Sequence, residues 1–119
     1  MNGVKHRRTY PKAVRIRRRS EFLALQRDGR RRHTSHFVVI RQPSAAAASR
    51  LGVTVSARIG NAVVRNQVKR LVREVFRNRR TDLVPASDVL VIAKPGASAL
   101  TYAQAATELE RVLEIVPDR

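Results

Sequence analysis

Residues 62–78 carry Val64, Val68, Leu71 and Val75 at intervals of three and four, with Val72 and Phe76 widening the stripe. That is the period of a helix that buries one face. Arg65, Asn66, Lys69, Arg70, Arg73 and Arg77 fill a neighbouring arc of roughly 140° at helical spacing, and Glu74 lies beyond it. On either side the pattern changes to that of strands. Leu51, Val53 and Val55 alternate with Gly52, Thr54 and Ser56 over residues 51–57, and residues 88–94 read DVLVIAK. A strong helix among β-patterned segments limits the chain to helices packed on a small sheet.

The other elements complete that picture. Ser20 is placed to cap a short helix over Glu21–Asp28, with Phe22 and Leu25 on one face and Gly29 as its stop. Arg30 to His33 reads as a basic turn. Residues 36–42 read as a strand with Phe37 and Val39 on one face and Val38 and Ile40 on the other. The stretch 43–50, PSAAAASR, reads as a loop joining it to the 51–57 strand as an antiparallel pair. Asn61 is placed to cap the 62–78 helix, and Thr101 with Gln104 forms a capping box for a last helix that Pro117 ends. The expected fold is α+β, a single two-layer α/β sandwich in the order α-β-β-α-β-α. Residues 1–15 form a mobile basic arm and 16–117 one domain.

Charge restricts the partner. Of 25 Lys and Arg, 22 lie in residues 1–80, which hold only 3 of the 9 Asp and Glu; the net charge is +16. Solvated helix faces normally mix signs, because like charges four residues apart repel. Arg65, Lys69, Arg73 and Arg77 form one such file without relief, which points to a phosphate backbone. The absence of cysteine removes disulfides and thiol chemistry, and no apolar run approaches the length of a membrane helix. His33 and His36 are spaced for a metal, but no nearby Asp, Glu or Cys completes a ligand set, so no metal site is expected. An Arg-rich, acid-poor N-terminus also suits an organellar transit peptide, against which stands the helix that follows directly.

The segment Arg58–Arg77, RIGNAVVRNQVKRLVREVFR, resembles the signature of the bacterial ribonuclease P protein, a Gly-Asn-Ala-Val turn leading into an Arg-Asn-x-x-Lys-Arg-x-x-Arg helix. The resemblance extends over roughly residues 15–115. It implies a ribosomal-protein-like fold with a left-handed crossover through the basic helix. It also implies a chain without catalytic residues, acting in the cytoplasm as the subunit of a holoenzyme whose catalytic RNA and Mg²⁺ perform the hydrolysis. The protein itself is expected to bind no cofactor, membrane or DNA. Its partners are expected to be the catalytic RNA and precursor tRNA.

By the same resemblance Arg58, Asn61, Arg65, Asn66, Lys69, Arg70, Arg73 and Arg77 face the catalytic RNA. Phe22, Gln26, Val38, Ile40, Thr54 and Ser56 line a cleft for the 5′ leader of precursor tRNA. The match is uneven. Gln67 stands where the motif has a second arginine, Ala57 replaces a commonly basic residue, and Gln26 and Ile40 stand where relatives often carry aromatics. Phe22 fits two roles, core side chain or leader contact. A ribosomal protein or RNA chaperone is the alternative reading. A DNA-binding helix–turn–helix is the third, and it requires two adjacent helices.

Overall fold

The computed structural model describes residues 15–44 and 48–114. In chain order the elements are α1 (Arg19–Asp28), β1 (Arg30–His33), β2 (Phe37–Pro43), β3 (Arg50–Thr54), α2 (Ala62–Arg79), β4 (Ser87–Ala93) and α3 (Tyr102–Leu113). One mixed sheet has the strand order β1-β2-β4-β3. β2 runs antiparallel to both β1 and β4, while β3 runs parallel to β4.

Two expectations change here. Arg30 to His33 is a strand and not a turn, held at the sheet edge by its ladder to β2. β2 and β3 do not pair with each other, because β4 lies between them. The reason is the direction of β3: with α2 as the return segment, β3 and β4 run the same way and pair side by side, leaving the antiparallel edge of β4 to β2.

The side facing α2 and α3 holds the main core, built from Phe37, Val39, Leu51, Val89 and Val91 of the sheet, Val68, Val72, Val75 and Phe76 of α2, and Ala105, Leu109 and Leu113 of α3. A fully buried aliphatic or aromatic side chain contributes roughly 1.5–3 kcal/mol, so this layer dominates stability. The opposite face is smaller. Val38, Ile40 and Leu90 pack there with Leu25 of α1 and Ile16, flanked by Phe22 and Ile92.

The local stop and start signals act as their chemistry requires at two helices. Asn61 Oδ1 accepts from the Val64 N–H at 3.0 Å. Thr101 and Gln104 make the reciprocal capping box. At α1 the expected Ser20 cap is not made: the helix begins two residues earlier, at Arg19, and the Arg18 carbonyl accepts from the Glu21 and Phe22 N–H groups. Of the basic arm only Arg15 falls among the described residues, where it bridges to Leu51; Pro117 lies outside them.

Candidate nucleic-acid interface

The core stripe of α2 turns Arg65, Asn66, Lys69, Arg70 and Arg73 away from the buried Val68, Val72, Val75 and Phe76. The Asn61 cap fixes where the helix begins, and Arg65 Nε donates to the Gly60 carbonyl at 3.2 Å, tying the first cation back to the turn. Asn66, Arg70, Arg73, Glu74 and Arg77 line a shallow concavity of about 270 Å³ on this surface. Arg77 is not a free cation, since it is paired with Glu74. Arg58 is exposed in the turn between β3 and α2.

The remaining acids explain why this face stays positive. Glu21 and Asp88 are held by Arg50, Glu110 by Arg79, Glu114 by Arg32 and Asp28 by Arg27, while Glu108 meets His36. No ion pair among the described residues involves Arg58, Arg65, Lys69 or Arg70. Among the described residues Glu74 is the one acid of α2, and it pairs with Arg77; Asp82, just past the helix, makes no ion pair, and the other carboxylates pair with cations outside the Arg58–Arg70 set.

The second surface is built by pleating. Successive strand residues point to opposite faces, so the register places Thr54, Ile92 and Val38 in one row on the α1 side of the sheet, and Gly52, Leu90 and Ile40 in the next. α1 covers the second row. Phe22 packs over Gly52, and Gly29 approaches Ile40 so closely that a β-carbon there would stand 2.4 Å from Ile40 Cγ2. The first row lies beside the helix and grades from the buried Val38 through the half-buried Ile92 to the exposed Thr54.

The six residues assigned to that cleft therefore differ in what they offer. Phe22 is half-buried, and Gln26, Thr54 and Ser56 are exposed, while Val38 is nearly closed and Ile40 is fully buried. Ile40 supports α1 from below. Ser56 lies beyond the end of β3, and its carbonyl accepts from Ile59 N–H in the turn toward α2. Ile92, which the alternation of the 88–94 strand places on this face, joins the groove although it was not singled out from sequence.

One arginine joins the parts. Arg50 grips Asp88 through two hydrogen bonds of 2.9 and 2.8 Å and reaches Glu21 at 3.0 Å, connecting β3, β4 and the start of α1. Those bonds, with Asp88 first, hold its guanidinium pKa above the ordinary arginine value against the opposing effect of burial. On the other side of the sheet, His36 Nδ1 meets Glu108 Oε2 at 2.5 Å, and the His36 backbone N–H donates to Oε1 at 3.1 Å. His36 is engaged with α3 by these contacts. No group of three or more His, Cys, Asp or Glu side chains suited to a metal occurs among the described residues. No helix among them is long and apolar enough to cross a membrane.

Comparison with known proteins places this arrangement. The family model described as Ribonuclease P matches residues 10–116. A ribonuclease P protein component of Desulfovibrio desulfuricans is 48% identical over 103 residues, covering 83% of this chain and 79% of that protein. The corresponding protein of Staphylococcus carnosus is 36% identical over 105 residues, covering 87% and 90%. Among solved structures, the RNase P protein of Staphylococcus aureus superposes with a TM-score of 0.78 at 36% identity over 87% of this chain and 95% of that one. The RNase P protein of Thermotoga maritima gives 0.76 at 29% identity over 87% and 98%.

Proposed function

The chain belongs to the ribonuclease P protein family, and we propose that it docks the outer face of α2 on the holoenzyme's catalytic RNA while the α1–sheet groove takes the single-stranded 5′ leader of precursor tRNA. As a protein subunit of ribonuclease P it is an RNA-binding component of tRNA processing; the relatives support this role over that of a ribosomal protein or RNA chaperone. The observation that carries the docking surface is the run of cations at Arg58, Arg65, Lys69 and Arg70, none of which has an ion-pair partner among the described residues. Arg65, Lys69 and Arg70 meet phosphates as point charges and forks, and Asn66 supplies both donor and acceptor to sugar and base edges.

In this reading the chain contributes no catalytic group. Hydrolysis belongs to the RNA subunit and the Mg²⁺ it holds, and the protein orients the substrate, in the cytoplasm, by gripping the leader. With Gln26 and Ile40 in place of aromatics, the groove relies on the edge of Phe22, on Thr54 and on aliphatic contact, where stacking would add about 1–3 kcal/mol per base.

Reconstitution tests the proposal. Rigorously RNA-free protein should not cleave precursor tRNA at any Mg²⁺ concentration. Added to the catalytic RNA, it should lower the Mg²⁺ requirement and strengthen substrate binding. Cleavage at the mature 5′ end by the protein alone would overturn the assignment of catalysis to the RNA.

A further inference from the structure

β1 is an edge strand composed of Arg30, Arg31, Arg32 and His33. Pleating divides its side chains between the two faces of the sheet. Arg30 and Arg32 pair in register with Arg41 and Val39, and border a concavity on the α3 side. Arg31 and His33 pair with Ile40 and Val38, which belong to the α1 side. The row Thr54–Ile92–Val38 that floors the groove therefore continues to His33 on the outermost strand, with Arg31 one row behind it.

The two faces of β1 are also occupied differently. On the α3 side Arg32 pairs with Glu114 at 3.5 Å, and Arg41 donates to Ser87 Oγ and the Leu113 carbonyl. On the groove side Arg31 and His33 are exposed, and their side chains make no hydrogen bond or ion pair among the described residues. The nearest acid along the chain, Asp28, is held by Arg27 at 3.0 Å. Two donors thus stand at the mouth of a groove whose aromatic contact is Phe22, and the acid nearest them in sequence is already paired.

We propose that Arg31 and His33 are the distal end of the leader groove, gripping the sugar–phosphate backbone where the RNA strand leaves the sheet across β1. This rests on the reading of the groove given above and extends it. α1 runs from Phe22 over β3 toward Gly29 against β2, so groove and helix cross the sheet together. Three inter-strand spacings separate β3 from β1, a path of about 14 Å. The β3 end adjoins the turn into α2 and lies next to the catalytic RNA. A short leader fills that end alone, and only a longer one reaches Arg31 and His33. The competing role for a cationic edge strand is protection against edge-to-edge pairing, which requires charge but has no preference for one face.

Arg30→Ala and Arg31→Ala separate the two. They remove the same charge from adjacent positions on the same strand but from opposite faces. Each variant is assembled with the catalytic RNA, and affinity is measured for precursor tRNAs whose leaders are lengthened one nucleotide at a time. Arg31→Ala should bind long-leader substrate about three- to tenfold more weakly, as for one charge-assisted contact, and short-leader substrate normally. Arg30→Ala should match wild type throughout, His33→Ala should repeat the Arg31→Ala pattern, and Arg31→Lys should restore most of the affinity. Equal losses for Arg30→Ala and Arg31→Ala, or losses that do not depend on leader length, would overturn the proposal. Phe22→Leu locates any failure. If it shows leader dependence and Arg31→Ala does not, only the distal end is wrong; if neither does, the groove itself is not the leader site.

Discussion

The ring of Phe22 lies against the α-carbon of Gly52, so that a β-carbon at that position would stand 2.7 Å from Phe22 Cε1 and 2.9 Å from Cζ. Ile16 Cβ, at 3.4 Å, leaves little room for relief on the other side. The glycine of β3 is thus the seat on which the one aromatic of α1 rests. Gly52→Ala should cost about 1–3 kcal/mol through overpacking. It should also tilt Phe22 outward, so that thermal denaturation shows the loss of stability while leader affinity in the assembled enzyme changes with it. A variant with wild-type stability and wild-type leader affinity would show that the contact is slack.

Phe22→Leu addresses the same contact from the helix. Because Phe22 is half-buried beside Leu25 and Ile40, leucine retains much of the apolar contact and removes the stacking face. The variant should melt close to wild type, bind catalytic RNA and mature tRNA normally, and lose affinity for substrates with a leader. A large drop in Tm without a leader-dependent component would assign the side chain to the core.

Arg65→Ala should weaken binding to the catalytic RNA and lower the slope of log affinity against log salt by about one unit for each lost phosphate contact. Lys69→Ala should do the same, whereas Arg77→Ala should have a smaller effect because Glu74 already holds that guanidinium. Salt titrations of RNA affinity give the comparison. Normal slopes for Arg65→Ala and Lys69→Ala would place the RNA on another face.

Arg50→Leu should destabilise the fold by about 3 kcal/mol or more, since it strands the buried Asp88 without its partner. Chemical denaturation measures the loss. Arg50→Leu combined with Asp88→Asn should recover part of it, because the orphaned charge is then gone. A double variant no better than the single one would mean that the packing of Arg50, and not its charge, carries the effect.

Burial pushes the Glu108 carboxyl upward, but the hydrogen bonds from His36 and Thr34 together outweigh it and leave its pKa below the ordinary value. A carboxylate depressed in the folded state stabilises above its unfolded pKa of about 4.3 and loses that contribution as pH falls through the lower folded value. Glu108→Gln should therefore lower Tm at neutral pH and flatten the decline of Tm on acidification below about pH 5. Parallel Tm curves for the variant and wild type would show that the pair contributes nothing to acid sensitivity.

What the sequence makes legible follows the range of the forces involved. α2, its Asn61 cap and the Thr101–Gln104 box depend on neighbours within one or two turns, and the structure has them as the spacing predicts. The apolar alternation of β2 and β3 names the inward residues correctly for the same reason. β1 is different. Three arginines and a histidine carry no apolar alternation, and the strand conformation comes from the ladder to β2. The pairing of β3 with β4 could not be read from either segment, because alternation states which face is buried and says nothing about the neighbouring strand. Ile40 looked like a groove residue because its parity puts it on the right face, while its closure depends on where Gly29 turns the chain.

The position of β4 between β2 and β3 also sets an order of events. β4 is the last strand in the chain, yet both of its neighbours are made before it. Until residues 87–93 have left the ribosome, β3 has no strand to pair with, and α2 has only part of the layer against which its apolar stripe is buried. α2, with its cationic file, is thus only partly packed while the chain beyond it is made. The sheet closes through contacts distant in sequence, and such pairing is slow. During that interval the cationic file of α2 is held by an incomplete sheet, and the nascent chain is at its greatest risk of engaging the wrong polyanion.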